Sequence, residues 1–109
     1  MPQNYLDEAL NQQGLKDVPN RLKQTWVENS YKYEVRIHAG ESQYTNSQSI
    51  YRVSRQAIPT PGVQGIGIEY MDVNGKWWHK SVLKEFFKGG VPNPFFNPIA
   101  AAETHIPLP

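Results

Sequence analysis

The chain contains no cysteine, which excludes disulfides, thiol catalysis and thiolate metal sites. The absence suits a protein that works in a reducing cytoplasm or crosses between compartments unfolded. No apolar run approaches the roughly 18 residues of a membrane helix. The start, Met1-Pro2-Gln3-Asn4, lacks the basic-then-apolar pattern of a signal peptide. Charge is scarce as well: the formal net charge is +1 with 19% charged residues, which separates the chain from disordered polyelectrolytes and from strongly basic nucleic-acid binders. The histidines are His38, His79 and His105; no two stand at metal-ligand spacing, so no metal site is expected. Gly65-x-Gly67 lacks the third glycine of a dinucleotide loop and the lysine of a phosphate loop. A Gly-x-Ser-x-Gly elbow is missing too, and no basic run is interleaved with aromatics as a single-strand platform requires. No cofactor is expected.

What is present suffices for one domain. The 109 residues include 3 Trp, 6 Tyr and 4 Phe, and each ring buries roughly 150–250 Å². Charge is unevenly distributed. Residues 1–19 carry −2, residues 20–56 carry +3, and residues 57–109 balance. A mildly positive middle is compatible with a phosphate-rich ligand.

The pattern along the chain predicts a helix over Asn4 to Gln13, with Asn4 as cap, Leu6, Ala9 and Leu10 on one face, and Gly14 at the end. A second helix is expected from Val18 to Asn29, with Asp17 as cap, Pro19 in the first turn and Leu22 and Trp26 one turn apart. The period then changes from 3.6 to 2. Lys32 to His38 reads as a strand with Tyr33, Val35 and Ile37 on one side and Glu34, Arg36 and His38 on the other. Residues 40–49 read as a polar loop, and Ile50 to Gln56 as a second strand. Ile66 to Met71 and Lys76 to Lys80 form a hairpin about Asn74-Gly75, a strong two-residue turn signal. That register pairs Met71 with Trp78, Tyr70 with His79, and Glu69 with Lys80. Val82, Leu83, Phe86 and Phe87 recur at helical spacing before Gly89-Gly90, and Asn97-Pro98 opens a last helical turn. The prolines at 107 and 109 keep the tail extended. Helices first and an antiparallel sheet afterwards is the order of an α+β domain.

The residues suited to chemistry are those for phosphodiester cleavage without metal, which needs a base, an acid and cations for the charge on phosphorus. Histidine titrates near neutrality and arginine grips phosphate in two prongs. Arg36 and His38 share a strand face. They can form a phosphate clamp and base, or the solvated side of a half-buried strand. Arg52 is the better partner for Arg36, since Arg55 lies on the side of Tyr51 and Val53. His79, near Tyr70 and Trp77, can serve as an acid or as an aromatic-packed structural histidine; Glu69 and Lys80 read as a surface pair. Thr104-His105 makes most sense if the tail folds back across the sheet and presents the imidazole; the alternative is a tail that covers an apolar edge with Ile106 and Leu108.

Tyr33-Glu34-Val35-Arg36-Ile37-His38, Ile50-Tyr51-Arg52-Val53-Ser54-Arg55, Glu69-Tyr70-Met71-Asp72 with Asn74-Gly75-Lys76-Trp77, and Thr104-His105-Ile106-Pro107-Leu108 resemble, in that order, the C-terminal toxin domains of bacterial polymorphic toxins, closest to the LXG and YobL-like kind of Bacillus-type secreted toxins. The resemblance covers most of the chain from about Leu15 onward. It implies a barnase–EndoU–colicin–RelE-type ribonuclease: N-terminal helices packed on a small antiparallel sheet, with no metal or cofactor. The implied catalytic residues are His105, Thr104, His38, Arg36 and His79, with Arg52, Tyr70, Trp77 and Lys80 binding substrate. It also implies one toxin domain over 1–109, with residues 1–14 a remnant of the linker to a delivery region. The implied partners are an RNA substrate, such as transfer RNA, and a cognate immunity protein, for instance SMI1/KNR4-like. The domain would then be a monomer or a heterodimer with that protein, secreted by the producer and active in the cytoplasm of the target bacterium. The modest basic charge departs from strongly cationic ribonucleases. Two other classes fit the residue types: an ADP-ribosylating toxin using Arg, Ser and Glu, and a non-enzymatic partner-binding domain using Phe86-Phe87 and Phe95-Phe96.

Overall fold

A computed structural model describes residues 1–38 and 49–109. The polar loop expected at 40–49 therefore lies outside the described residues apart from Ser49. The domain is α+β: an N-terminal helix on one face of an antiparallel sheet, with a second short helix near the C-terminus.

Helix α1 runs Pro2–Gln12 with proline in its first turn and Met1, not Asn4, at the cap. Leu6 and Ala9 are completely buried. The helix ends because Gly14 takes φ +67°, a conformation glycine adopts without a Cβ clash. The Gly14 amide then donates to the Asn11 carbonyl at 3.0 Å and the Leu15 amide to the Leu10 carbonyl at 2.9 Å, closing a Schellman motif.

The helix expected over Val18 to Asn29 is instead strand β1, Leu22–Glu28. Residues 22 and 26 are four apart, a separation that suits one helix face and one strand face equally. The deciding residue is Gln24, polar but turned inward. Its amide donates to Gln12 Oε1 at 3.0 Å and its carbonyl accepts from Gln13 Nε2 at 2.9 Å, so it clips the end of α1 to the strand. Thr25, Trp26 and Val27 favour extended backbone. Asn29 and Ser30, with φ of 50° and 67°, form a two-residue turn into β2, Tyr31–His38.

The remaining strands are β3, Ile50–Ala57, β4, Ile68–Met71, and β5, Trp77–His79. They add in sequence order, β1-β2-β3-β4-β5. Helix α2, Pro98–Glu103, is capped by Asn97, whose side chain accepts the Ala100 amide at 3.0 Å. Strand β6, Ile106–Pro107, follows and pairs with Ile50 and Tyr51 of β3.

The β4–β5 hairpin differs from the expected register by one residue. Met71 faces Trp77, Tyr70 faces Trp78, and Glu69 faces His79. The cause is Asp72. Its Oδ1 accepts the amides of Asn74 and Lys76, both at 2.9 Å, and its Oδ2 accepts Trp78 Nε1–H at 2.8 Å. These bonds stretch the connection to three residues with Gly75 at φ +86°. Trp77 is thereby placed on the core face, and Glu69 pairs with Arg55 at 3.0 Å rather than with Lys80.

The expected helix through Phe86 and Phe87 is also absent. Only a 3-10 turn, Lys80–Val82, forms there. Buried Asn93 takes the carbonyls of Ser81 and Lys84 at 2.7 and 2.9 Å, which a helix would have used internally, and holds the segment as irregular chain.

The main core lies between α1 and the sheet: Leu6, Ala9, Leu22, Val35, Ile37, Tyr51, Val53, Met71 and Ile106. Tyr5, Trp26, Tyr33 and Trp77 extend it as a run of ring contacts, with centroids 5.4 Å apart for Tyr5–Tyr33 and 5.7 Å for Trp26–Tyr33.

Candidate functional site

The sheet face turned away from α1 carries the chemistry. Alternation along β2 puts Tyr33, Val35 and Ile37 into the core and sends Arg36 and His38 the other way. Pairing then fixes the neighbours. Arg36 stands opposite Lys23 on β1 and opposite Arg52 on β3, and directly opposed residues share a face.

At the end of the sheet where β1 begins, β2 ends and β3 begins, these residues line an open hollow of about 930 Å³. Its described walls are Arg21, Lys23, Arg36 and Arg52, the imidazoles of His38 and His105, and Gln13, Leu22, Ile37 and Ile50. Among the described residues no carboxylate lines it.

The C-terminal tail delivers His105. The last turn of α2 holds the ring, since Nδ1 lies 2.6 Å from the Ala101 carbonyl. A carbonyl oxygen only accepts, so Nδ1 carries the proton and the lone pair of the neutral ring sits on Nε2. One residue later the chain locks onto β3 through Ile106, so the imidazole is anchored on both sides. Thr104 is completely buried. Its hydroxyl donates to the Ala101 carbonyl at 3.1 Å and accepts from Arg52 Nη2 at 3.5 Å. The Arg52 guanidinium lies over the Tyr70 ring, 4.0 Å from its centroid, a cation–π contact that fixes its plane.

Electrostatics follow from burial first and then from this crowding of cations. Burial, then Arg36, Arg52 and Arg21, push the His38 pKa below its ordinary 6.5. Burial, then Arg52, lower that of His105, and His38 adds to the effect while the bond to the Ala101 carbonyl opposes it. Both rings are therefore neutral at neutral pH and able to take a proton. An anion in the hollow would offset the guanidinium charge and raise both values.

Of the sequence candidates, the structure brings His38, His105, Arg36 and Arg52 together, with Tyr70 and Thr104 behind Arg52. It places the other three elsewhere. His79 points to the opposite sheet face, across from Glu69. Its Nε2–H donates to the Ile66 carbonyl at 2.5 Å and its Nδ1 accepts the Ser81 amide at 3.1 Å, so it ties the 58–67 segment to β5. Gly67 makes room for it: with φ +95°, a Cβ there would stand 2.9 Å from His79 Nε2. Trp77 packs in the core against Tyr5 and Tyr33. Lys80 is exposed on the 3-10 turn.

Arg21 and Lys23 were not singled out from sequence. Their signal was hidden by the helical reading of 18–29; once those residues are a strand, Lys23 falls opposite Arg36. No three His, Asp or Glu side chains gather as a metal site among the described residues. No helix among them is long and apolar enough to cross a membrane.

These features define an α+β domain with a cationic, histidine-bearing hollow at one end of its sheet. Comparison with protein-family models, with curated proteins and with solved structures gives no match to this chain.

Proposed function

We propose that the chain is a metal-independent endoribonuclease of the barnase–EndoU–RelE type, acting as a toxin domain in competition between bacteria. The observation that carries the reading is the meeting of two imidazoles and two guanidinium groups, Arg36 and Arg52, in one hollow with no carboxylate among its described walls. In this mechanism His105 Nε2 takes the proton of a 2′-hydroxyl. The 2′-oxygen attacks phosphorus, the P–O5′ bond breaks, and His38, protonated once phosphate has entered, gives its proton to the leaving 5′-oxygen. Arg36 and Arg52 meet the charge that builds on the phosphoryl oxygens. Thr104 and Tyr70 are positioning residues for Arg52; His79 has no part in the step. In the producing cell such an activity requires a cognate immunity protein, and the site of action is the cytoplasm of the target bacterium.

The test is incubation of the purified domain with single-stranded RNA in EDTA. The expected products carry 2′,3′-cyclic phosphate ends, and a 2′-deoxy sugar at the cleaved position blocks the cut. RNA left whole at high enzyme concentration overturns the reading.

Exposed Phe86, Phe87 and Phe95, at 52%, 46% and 73%, favour a second reading, a partner-binding domain. Growth arrest on expression that is abolished by His105→Ala in a folded protein decides against it.

A further inference from the structure

The cations of the hollow are ordered. Lys23, Arg36 and Arg52 are direct cross-strand partners on three consecutive strands. With strands about 4.8 Å apart, they form a row about 10 Å long running across the sheet. No single phosphate reaches both ends of such a row. Arg21 lies two residues before Lys23, at the entrance to β1, and lines the same hollow. At the other end Arg52 lies close enough to lower the pKa of both His38 and His105.

The two flanks of the row differ. On one side, one step along β2, stands His38. On the other stands Glu34, on the same sheet face, with an ion pair to Lys23 at 3.7 Å. Glu34 is half-buried but Lys23 is 67% accessible, so the lysine is well solvated, the pair is weak and Lys23 can leave it. Glu34 repels an anion that strays off the row.

We propose that Lys23, Arg36 and Arg52 form a track for successive phosphates of a single-stranded nucleic acid. Arg52 meets the phosphate beside the histidines, Arg36 the next, and Lys23 with Arg21 the one after, where the strand leaves over the β1 edge. The position of the reacting phosphate rests on the ribonuclease reading; the track itself rests on strand register alone. A single strand is specified because its backbone can bend into the hollow and lie across the strands, which a stiff duplex cannot do.

The experiment uses thymidine oligodeoxynucleotides, which lack the 2′-hydroxyl and cannot be cut. Binding of oligomers with one, two, three and four phosphates is followed by calorimetry over a range of salt. Affinity is expected to rise up to three phosphates and then level off. For the three-phosphate oligomer the log–log salt slope should approach about −2, from about 0.7 per neutralised phosphate. Lys23→Gln should reduce the gain between one and three phosphates by roughly three- to tenfold, the scale of one charge-assisted contact, and lower the slope by about 0.7. Glu34→Gln should act in the opposite direction.

Equal affinity for one and three phosphates overturns the track. So does a Lys23→Gln loss that is the same for both, or inorganic tripolyphosphate binding as tightly as the oligomer. RNA cleavage without this length dependence removes the track and keeps the ribonuclease; length-dependent DNA binding with RNA left whole does the reverse.

Discussion

Strand β3 carries two arginines that meet opposite circumstances. Arg55 is on the α1 side. Its guanidinium lies between the rings of Tyr31 and Trp77, at 4.5 and 4.1 Å, and is neutralised by Glu69 at 3.0 Å. Arg52 is on the other side, over Tyr70 and against Thr104, among Arg21, Lys23, Arg36 and two imidazoles, with no carboxylate in the described wall. On the α1 side the arginine is thus neutralised by an adjacent carboxylate, whereas the described wall around Arg52 is lined by further cations, with the Lys23–Glu34 pair beside it. Histidine follows the same division: His79, fixed by Ile66 and Ser81, belongs to the balanced half, whereas His38 and His105 belong to the cationic one. Like charge gathered in one place costs stability, and a ligand of opposite sign relieves that cost, so on the proposed reading the contrast separates the half that binds from the half that is only held together.

The strongest way to break the comparison is to remove one histidine from each half. His105→Ala or His38→Ala should lower RNA cleavage by about 10²–10⁴-fold, the usual contribution of a general acid or base, with the fold intact, although His105→Ala also loses its bond to the Ala101 carbonyl, about 0.5–1.5 kcal/mol. His79→Ala should do the converse. It loses its hydrogen bonds with the Ile66 carbonyl and with the Ser81 amide and hydroxyl, about 1–3 kcal/mol of stability, and keeps cleavage at temperatures where the fold is intact. Equal loss of cleavage in all three variants would erase the distinction between the halves.

Next in size is the core beneath α1. Leu6 is completely buried against the sheet, and Leu6→Ala should destabilise by about 2–5 kcal/mol in denaturant titration. Smaller again is the pair of arginine replacements that sharpens the contrast on β3. Arg55→Met should cost about 1–2 kcal/mol through its lost ring contacts and partly exposed ion pair, leaving cleavage in place. Arg52→Met should reduce cleavage and phosphate binding with less effect on unfolding.

These contrasts were unequally legible in the sequence. The period-2 alternation of Tyr33 to His38 and of Ile50 to Gln56 placed Arg36, His38 and Arg52 on strands, because those faces are cleanly split between apolar and polar. The prolines of the tail made it extended, and a stiff Thr104-His105 pair in a tail that adds little to a core suggested the return of His105. What escaped was set by side-chain-to-backbone bonds that no period reports. Gln24 faces inward because Gln12 and Gln13 satisfy it, so β1 does not alternate visibly, and Lys23 and Arg21 were lost with it. Asp72 captures two amides and an indole N–H, moving the hairpin by one residue and exchanging the faces of Trp77 and Trp78. Asn93 takes the carbonyls that would have closed a helix before Phe86. In each case one polar residue overrides the apolar pattern around it.

The smallest expected effect is the acid dependence of stability, which should separate into two windows. His38 and His105 have pKa values below their ordinary 6.5 in the folded protein. The unfolded chain therefore binds more protons than the folded one as pH falls through that range, and stability declines from about pH 6.5 downward until the folded values are passed. Inorganic phosphate should lessen this decline by raising both folded values. Asp72 behaves alike in sign but at lower pH. Desolvation pushes its carboxyl up, but the donors Trp78, Lys76 and Asn74 outweigh it and leave the pKa below 3.8, so its contribution is present above the carboxylate range and is lost as acid protonates it. Urea titrations between pH 7 and pH 3 should show the first decline reduced in His38→Gln and His105→Gln, and the second reduced in Asp72→Asn. A first decline that persists with both imidazoles replaced would place the acid-sensitive charge outside the hollow and remove the electrostatic distinction between the two faces of β3.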